Sequence, residues 1–343
     1  MKIAVVGLGR MGRFYAQTIA ALGPNIQLAA VADPDPVARA AVAKELLPGP
    51  GVALATGEPG DIFTRGDIDA VIIATPTSTH AELVVAAAQT GKAIFCEKPL
   101  ALSLEQTHAA LAAVERAGVL LQIGFMRRFD PAYQQARALI DAGRIGRPIT
   151  FKAVGRDPNC PPLEYANPAH SGGLVVDMGI HDFDLARWLM SSEVERVSAE
   201  GALCVCDHFA SVGDIDNAVI NLRFTSGALG NVEVSRNARY GYDVWTEVLG
   251  SEGTVVVGRT AGSGGIQVLL PAGDHQSDDT PHFVRRFGTA YRAEIEHFVE
   301  CVQHQRPPSV GGADALAAFE IALAATRSWQ TGQPVTVSEP ARV

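Results

Sequence analysis

The chain has 343 residues, 47% hydrophobic and 19% charged, with a formal net charge of −9. That length exceeds what one hydrophobic core usually serves, so two globular domains are expected. The acidic balance without a basic patch excludes an ordinary nucleic-acid partner, and no apolar run reaches the roughly 20 residues that a bilayer span needs.

Met1-Lys2 leads directly into an apolar strand, which leaves no space for a signal peptide and points to the cytoplasm. Through residue 125 the pattern alternates strand and helix. Apolar runs at 2–6, 27–32, 69–74, 93–96 and 119–125 read as buried parallel strands, and 11–22, 37–46, 80–89 and 103–117 carry helical spacing. Gly23, Gly91 and Gly118 stand where helix C-caps belong, and 48–60, rich in Pro and Gly, reads as a surface loop. This is a doubly wound α/β layout, a domain of residues 1–125.

Gly7-Leu8-Gly9-Arg10-Met11-Gly12 follows the first strand directly. Three glycines at that spacing allow a sharp turn, a bare backbone against a pyrophosphate and a helix packed closely on the sheet. Asp33 ends the second strand about 20 residues later, where an acid accepts hydrogen bonds from adenosine ribose hydroxyls. Together these predict a Rossmann dinucleotide site, with NAD preferred over NADP because Asp33 opposes a 2′-phosphate. Thr75-Pro76 and Glu97-Lys98 also fall at strand C-terminal ends, the edge at which open α/β sheets bind ligands.

After residue 125 the pattern changes to a domain of residues 126–343. A helix at 131–142, a strand at 149–154, a Pro-rich loop at 157–168 and a helix at 174–190 precede strands at 194–205, 218–224, 228–235, 244–249 and 254–257. Short turns between those strands imply an α+β domain with a mostly antiparallel, open sheet. Helices at 291–303 and 314–330 follow. Asp177, His181 and Asp184, spaced i, i+4 and i+7, would form one polar stripe on the 174–190 helix. Ser171-Gly172-Gly173 before it suggests a tight approach to something. Five cysteines without paired CxxC spacing fit a reduced compartment, and Cys204, Cys206 and His208 lack a fourth ligand, so no metal is expected.

Oxidation of an alcohol by a nicotinamide needs a base for the hydroxyl proton and a positive group near the developing oxyanion. His181 suits the base, Asp177 its orienter and Lys98 the cation. No G-x-S-x-G nucleophile elbow and no P-loop occurs.

Five strings carry a resemblance over essentially the whole chain. They are Gly7 to Gly12, Ala74-Thr75-Pro76 with His80, Glu97-Lys98-Pro99, Gly124-Phe125-Met126-Arg127-Arg128-Phe129-Asp130, and Asp177-Met178-Gly179-Ile180-His181-Asp182-Phe183-Asp184. The chain resembles the glucose-fructose oxidoreductase/inositol dehydrogenase (Gfo/Idh/MocA) family, and within it the inositol 2-dehydrogenases. The resemblance implies Lys98, Asp177 and His181 as catalytic residues. It implies cofactor contacts at Gly7, Gly9, Arg10, Met11, Gly12, Asp33, Thr75, Pro76, His80, Glu97 and Lys98, and substrate contacts at Arg127, Asp184 and Tyr240. It further implies oxidation of a secondary hydroxyl of a cyclic polyol, myo-inositol first, and a homotetramer packed through the C-terminal sheet. A scyllo-inositol or sugar dehydrogenase, an NAD-dependent glycosidase and a catalytically silent NAD sensor are the alternatives.

Overall fold

The computed structural model describes residues 1–46, 54–259 and 282–337. The chain forms two compact units, Met1–Met126 with Thr289–Leu316, and Arg127–Gly288 with Ala317–Val343.

The first unit alternates β1 (Lys2–Val6), α1 (Arg10–Ala20), β2 (Gln27–Ala32), α2 (Pro36–Leu46), β3 (Leu54–Thr56), α3 (Pro59–Phe63), β4 (Ala70–Ile73), α4 (His80–Gln89), β5 (Ala93–Cys96), α5 (Leu104–Ala117) and β6 (Leu121–Ile123). The strands are all parallel, in the order β3-β2-β1-β4-β5-β6. The order reverses between β1 and β4, where doubly wound sheets open a crevice for a ligand. Helices cover such sheets on both faces, so β1 and β4 are unbroken apolar runs, buried from Ile3 to Val6 and from Ala70 to Ile73. Ser103 caps α5 by accepting the Gln106 N–H at 3.1 Å, and Gly118, at φ +63°, ends it.

The second unit begins with α6 (Pro131–Asp141), β7 (Pro148–Arg156), α7 (Leu163–Ala166), α8 (Pro168–Ser171), α9 (Gly173–Asp177) and α10 (Ile180–Met190). It continues through β8 (Val194–Ala202), β9 (Asn217–Phe224), β10 (Leu229–Ser235), β11 (Asp243–Gly250) and β12 (Thr254–Val257), and β13 (Val335–Thr336) closes the sheet. The order is β12-β11-β7-β10-β9-β8-β13, with β7 and β10 parallel and the other described neighbours antiparallel. Alternation sorts the faces. In β9, Ala218, Ile220, Leu222 and Phe224 are buried while Val219, Asn221 and Arg223 are exposed. Helices α9 and α10 lie on the buried face. Helices α11 (His282–His304) and α12 (Gly312–Thr331) each contribute residues to both units. No helix among the described residues is long and apolar enough to cross a membrane.

Four local expectations need correction. The 48–60 stretch contains β3 and the start of α3, while its residues up to 53 lie outside the described ones. The strand expected at 194–205 stops at Ala202, because the Asp216 carboxylate takes the N–H groups of Cys204, Val205 and Cys206 at 2.6–2.8 Å and turns the chain. The 174–190 helix is interrupted at Met178-Gly179. Cys160 and Cys206, 46 residues apart, are joined in a disulfide, contrary to the reduced thiols expected from spacing.

Candidate active site

The glycine fingerprint is explained by contacts. Gly7 has φ +89°, and a Cβ on it would lie 2.6 Å from the Ala74 carbonyl oxygen. A Cβ on Gly12 would lie 1.8 Å from the Gly7 oxygen, so only hydrogen lets α1 pack on this turn. Gly9 differs: no atom lies within 4 Å of where its Cβ would stand. It is the N-cap of α1 and offers no side-chain cap, so the N–H groups of the first turn face an open approach, the arrangement that receives a pyrophosphate.

Asp33 Oδ2 accepts the Leu8 N–H at 2.6 Å, and its Oδ1 accepts the Asp35 N–H at 2.8 Å. These bonds fix the carboxylate at the rim of a cavity of about 380 Å³ lined by Leu8, Gly9, Arg10, Arg13, Asp33 and Asp35. Two arginines buttress that rim and escaped the sequence reading. Arg39 Nη1 donates to the Asp33 carbonyl at 2.5 Å, and Arg13 Nε donates to the Leu8 carbonyl at 3.1 Å. Open backbone at Gly9 and a fixed acid 24 residues later fit the pyrophosphate and ribose of NAD.

His80 is fully buried, its ring nitrogens 2.8 Å from the Pro99 carbonyl oxygen and 2.9 Å from that of Thr75. It therefore ties the turn after β4 to the turn after β5. Burial lowers its pKa. Thr75 also accepts a hydrogen bond from Thr79 at 2.7 Å, while Met11 is partly exposed and Pro76 exposed. Glu97 and Lys98 are partly exposed at the end of β5, and Lys98-Pro99 is a cis peptide. Glu97 Oε2 accepts the Lys98 N–H at 3.2 Å, and its Oε1 accepts the Tyr15 hydroxyl.

In the second unit, Asp177 ends α9 and His181 stands in the first turn of α10. Both ends of α9 are pinned. Its Leu174 N–H donates to the Asp214 carboxylate at 3.0 Å, and Asp177 Oδ2 receives Arg236 Nη2 at 3.0 Å. The tight approach implied by Gly172-Gly173 is to Asp214, whose Oδ1 would lie 2.8 Å from a Cβ on Gly173. Arg236 is 2% exposed, stands over the Phe209 ring at 5.9 Å and donates to the Tyr165 carbonyl at 3.3 Å. The sequence reading missed it; its signal was an arginine directly after the alternating apolar run of β10.

The expected polar stripe does not form on one helix. The Asp177 side chain is about one-third exposed and His181 is partly exposed, but Asp184 is buried at 1%. Arg128 donates to both Asp184 oxygens, at 2.5 and 2.8 Å, and Arg127 donates to the buried Asp182 at 2.5 Å. Tyr240 donates to Asp243 at 2.7 Å and accepts from Arg156 at 2.7 Å. Burial, and then the Asp243 contact, raise the Tyr240 pKa. The structure thus gathers the cofactor-fingerprint residues with Glu97 and Lys98 in one unit, and Arg127, Asp177, His181, Asp184 and Tyr240 in the other. Among the described residues no group of three or more His, Cys, Asp or Glu is arranged to hold a metal ion.

Fold and fingerprint together define an NAD-binding α/β oxidoreductase. The chain belongs to the Gfo/Idh/MocA family: the oxidoreductase-family NAD-binding Rossmann fold matches residues 1–125, and that family's C-terminal alpha/beta domain matches residues 137–337. It is 42% identical over 335 residues to scyllo-inositol 2-dehydrogenase (NAD(+)) of Bacillus subtilis, covering 98% of this chain and 96% of that protein. It is 37% identical over 339 residues to myo-inositol 2-dehydrogenase of Thermotoga maritima, covering 99% of each. The crystal structure of myo-inositol dehydrogenase from Lactobacillus casei in complex with NAD(H) and myo-inositol is similar, with a TM-score of 0.84 at 27% identity, covering 100% of this chain and 98% of that one. The protein is an NAD-dependent oxidoreductase of that family.

Proposed function

We propose that the protein oxidises one secondary ring hydroxyl of an inositol, with myo-inositol giving 2-keto-myo-inositol and scyllo-inositol as the competing substrate. The observation that carries this reading is the Asp177–Arg236 ion pair: it fixes a carboxylate four residues before His181 in the chain, a spacing suited to orienting a general base. Bound NAD would supply the hydride acceptor. His181 takes the hydroxyl proton, Asp177 holds the imidazole, and Lys98 supplies positive charge for the oxygen as its proton leaves. Arg127, Asp184 and Tyr240, committed to Asp182, Arg128 and Asp243, support the substrate wall rather than supplying free charge to it. A pocket whose charges are paired in this way favours a neutral polyol over a sugar acid.

The open sheet face carries Val219, Leu229, Leu249 and Val256, each more than 40% exposed. Register places all four on one side, which supports a homotetramer packed there, and the dependence on NAD fits a cytoplasmic enzyme.

The deciding experiment measures initial rates of NADH formation with myo-inositol, scyllo-inositol, D-glucose and a hexuronate. The two inositols differ at the carbon that is oxidised and so give one ketone; rates, not products, distinguish them. An inositol is expected to lead the other two in kcat/KM by at least about tenfold, or about 1.4 kcal/mol. A hexuronate leading by that margin, or turnover without free NADH, would reverse the assignment.

A further inference from the structure

Behind Lys98, three acidic groups meet within the first unit. Tyr15 of α1 and Glu294 of α11 are both fully buried, and Glu97 is partly buried. The Tyr15 hydroxyl lies within hydrogen-bonding distance of Glu97 Oε1 and 3.0 Å from Glu294 Oε1. A phenol has one proton to donate. Were both carboxylates ionised, one would face the lone pairs of the phenol oxygen, so at least one of them carries a proton.

The surroundings decide which. Glu97 receives two donors, the Tyr15 O–H and the Lys98 backbone N–H, and it adjoins the Lys98 ammonium. Glu294 has Tyr15 as its contact on Oε1, and its Oε2 is buried with no hydrogen-bond partner. A buried anion in that position would keep little of its hydration energy, whereas a neutral acid donates to the phenol oxygen. We propose that Glu294 is a protonated carboxylic acid at neutral pH that acts through Tyr15 as a positioning residue for Glu97 and Lys98.

The proton chain then runs Glu294 O–H to Tyr15 Oη, and Tyr15 O–H to Glu97 Oε1, leaving Glu97 as the anion beside the lysine. The titratable groups around it are Tyr15 from α1, Cys96, Glu97 and Lys98 from β5 and its turn, and Tyr291 from α11. Burial, reinforced by the neighbouring Glu97 charge, pushes the Glu294 carboxyl well above the usual range. Gln122 of β6, also buried, anchors the same helix turn by donating to the Glu294 carbonyl at 2.8 Å. The positioning role rests on the reading of Lys98 given above, while the protonation state does not.

The test separates the two. Infrared difference spectra of the wild-type protein minus Glu294→Gln at pH 7 should show a carboxylic-acid carbonyl band; absence of that band overturns the proposal. Urea unfolding gives a second readout without turnover. Unfolded glutamate ionises near pH 4.3, so above that pH the folded state holds the extra proton. Stability therefore falls as pH rises, by up to about tenfold in the unfolding equilibrium constant per pH unit, until the folded group itself ionises. The wild type should lose stability relative to Glu294→Gln between pH 5 and pH 8, and parallel curves would overturn the proposal. Glu294→Leu should lower kcat about tenfold with little change in KM for NAD, and Glu294→Gln should recover most of that loss. Equal kcat in the two variants overturns the positioning role. A wild type that shows the infrared band and oxidises no cyclitol supports the neutral acid and sinks the function instead.

Discussion

The two units differ in the partners that their acids use. In the second, guanidinium groups hold four of them, Arg127 on Asp182, Arg128 on Asp184, Arg236 on the part-exposed Asp177 and Arg286 on Asp130, while backbone N–H groups hold Asp214 and Asp216. In the first, Asp33 is held by two backbone N–H groups, and Glu97 and Glu294 share the Tyr15 hydroxyl. Ion pairs of the first unit such as Lys2–Asp67 and Arg306–Glu300 are exposed and contribute little. Arginine stays charged at any working pH, so these four pairs keep a fixed charge pattern. Shared protons let the charge of the first unit follow pH. The arginine-paired acids of the second unit are thus locked, and the acids behind Lys98 in the first are tunable.

The largest effect expected from breaking this contrast is on stability. Arg127→Ala leaves Asp182, at 0% exposure, without its guanidinium, and should cost about 3–5 kcal/mol in urea unfolding at neutral pH. Burial already pushes the Asp182 carboxyl up, with Arg127 pulling against it. Adding Asp182→Asn to the alanine variant should therefore return part of the loss. A cost below about 1 kcal/mol would class the pair with surface bridges.

Next in size are Lys98→Ala in the first unit and His181→Ala in the second. Each should lower kcat/KM about 10²-fold or more while NAD affinity stays within about threefold, as expected of groups that act on the reacting oxygen. Isothermal titration with NAD beside steady-state rates measures both quantities, and undiminished turnover in either variant would remove that residue from the mechanism.

The smallest effect sharpens the contrast at Asp33. The wild type should prefer NAD over NADP by about 1–3 kcal/mol, because the fixed carboxylate meets a 2′-phosphate with like charge. Asp33→Ser should narrow the gap, helped by Arg10 and Arg13 on the same cavity wall. A preference unchanged in that variant would place the discrimination elsewhere.

Much of the fold was legible because its signals are local. Unbroken apolar runs marked the parallel strands, short turns between successive runs marked the antiparallel ones, and the glycine string with Asp33 marked the cofactor fingerprint. What escaped depends on partners distant in sequence. Asp184 looked like part of one polar stripe with Asp177 and His181, yet Arg128, 56 residues earlier, draws it into the core. Cys206 finds Cys160 across 46 residues, which spacing does not announce. Glu294 did leave a trace: it sits among Ala290, Tyr291, Phe298 and Cys301 on the buried stripe of α11, a charged residue at a core position. Arg236 and Asp214 were hidden because their role is to pin a helix of five residues whose own sequence is mostly apolar.

The noncontiguous make-up of the first unit has a consequence for synthesis. Its sheet ends at β6, where the Ile123 N–H donates to the Val310 carbonyl at 3.2 Å and Gln122 reaches Glu294. The nascent chain presents all six parallel strands by residue 126 but completes the unit only at Leu316. At about 5–20 residues per second, the intervening 190 residues (316 − 126) take on the order of 10–40 seconds to emerge from the ribosome. For most of that interval the buried faces of Tyr15 and Phe95 lack the helix that carries Tyr291 and Phe298, their aromatic neighbours in the finished fold. The cofactor-binding half, though first in sequence, is therefore among the last parts of the protein to close.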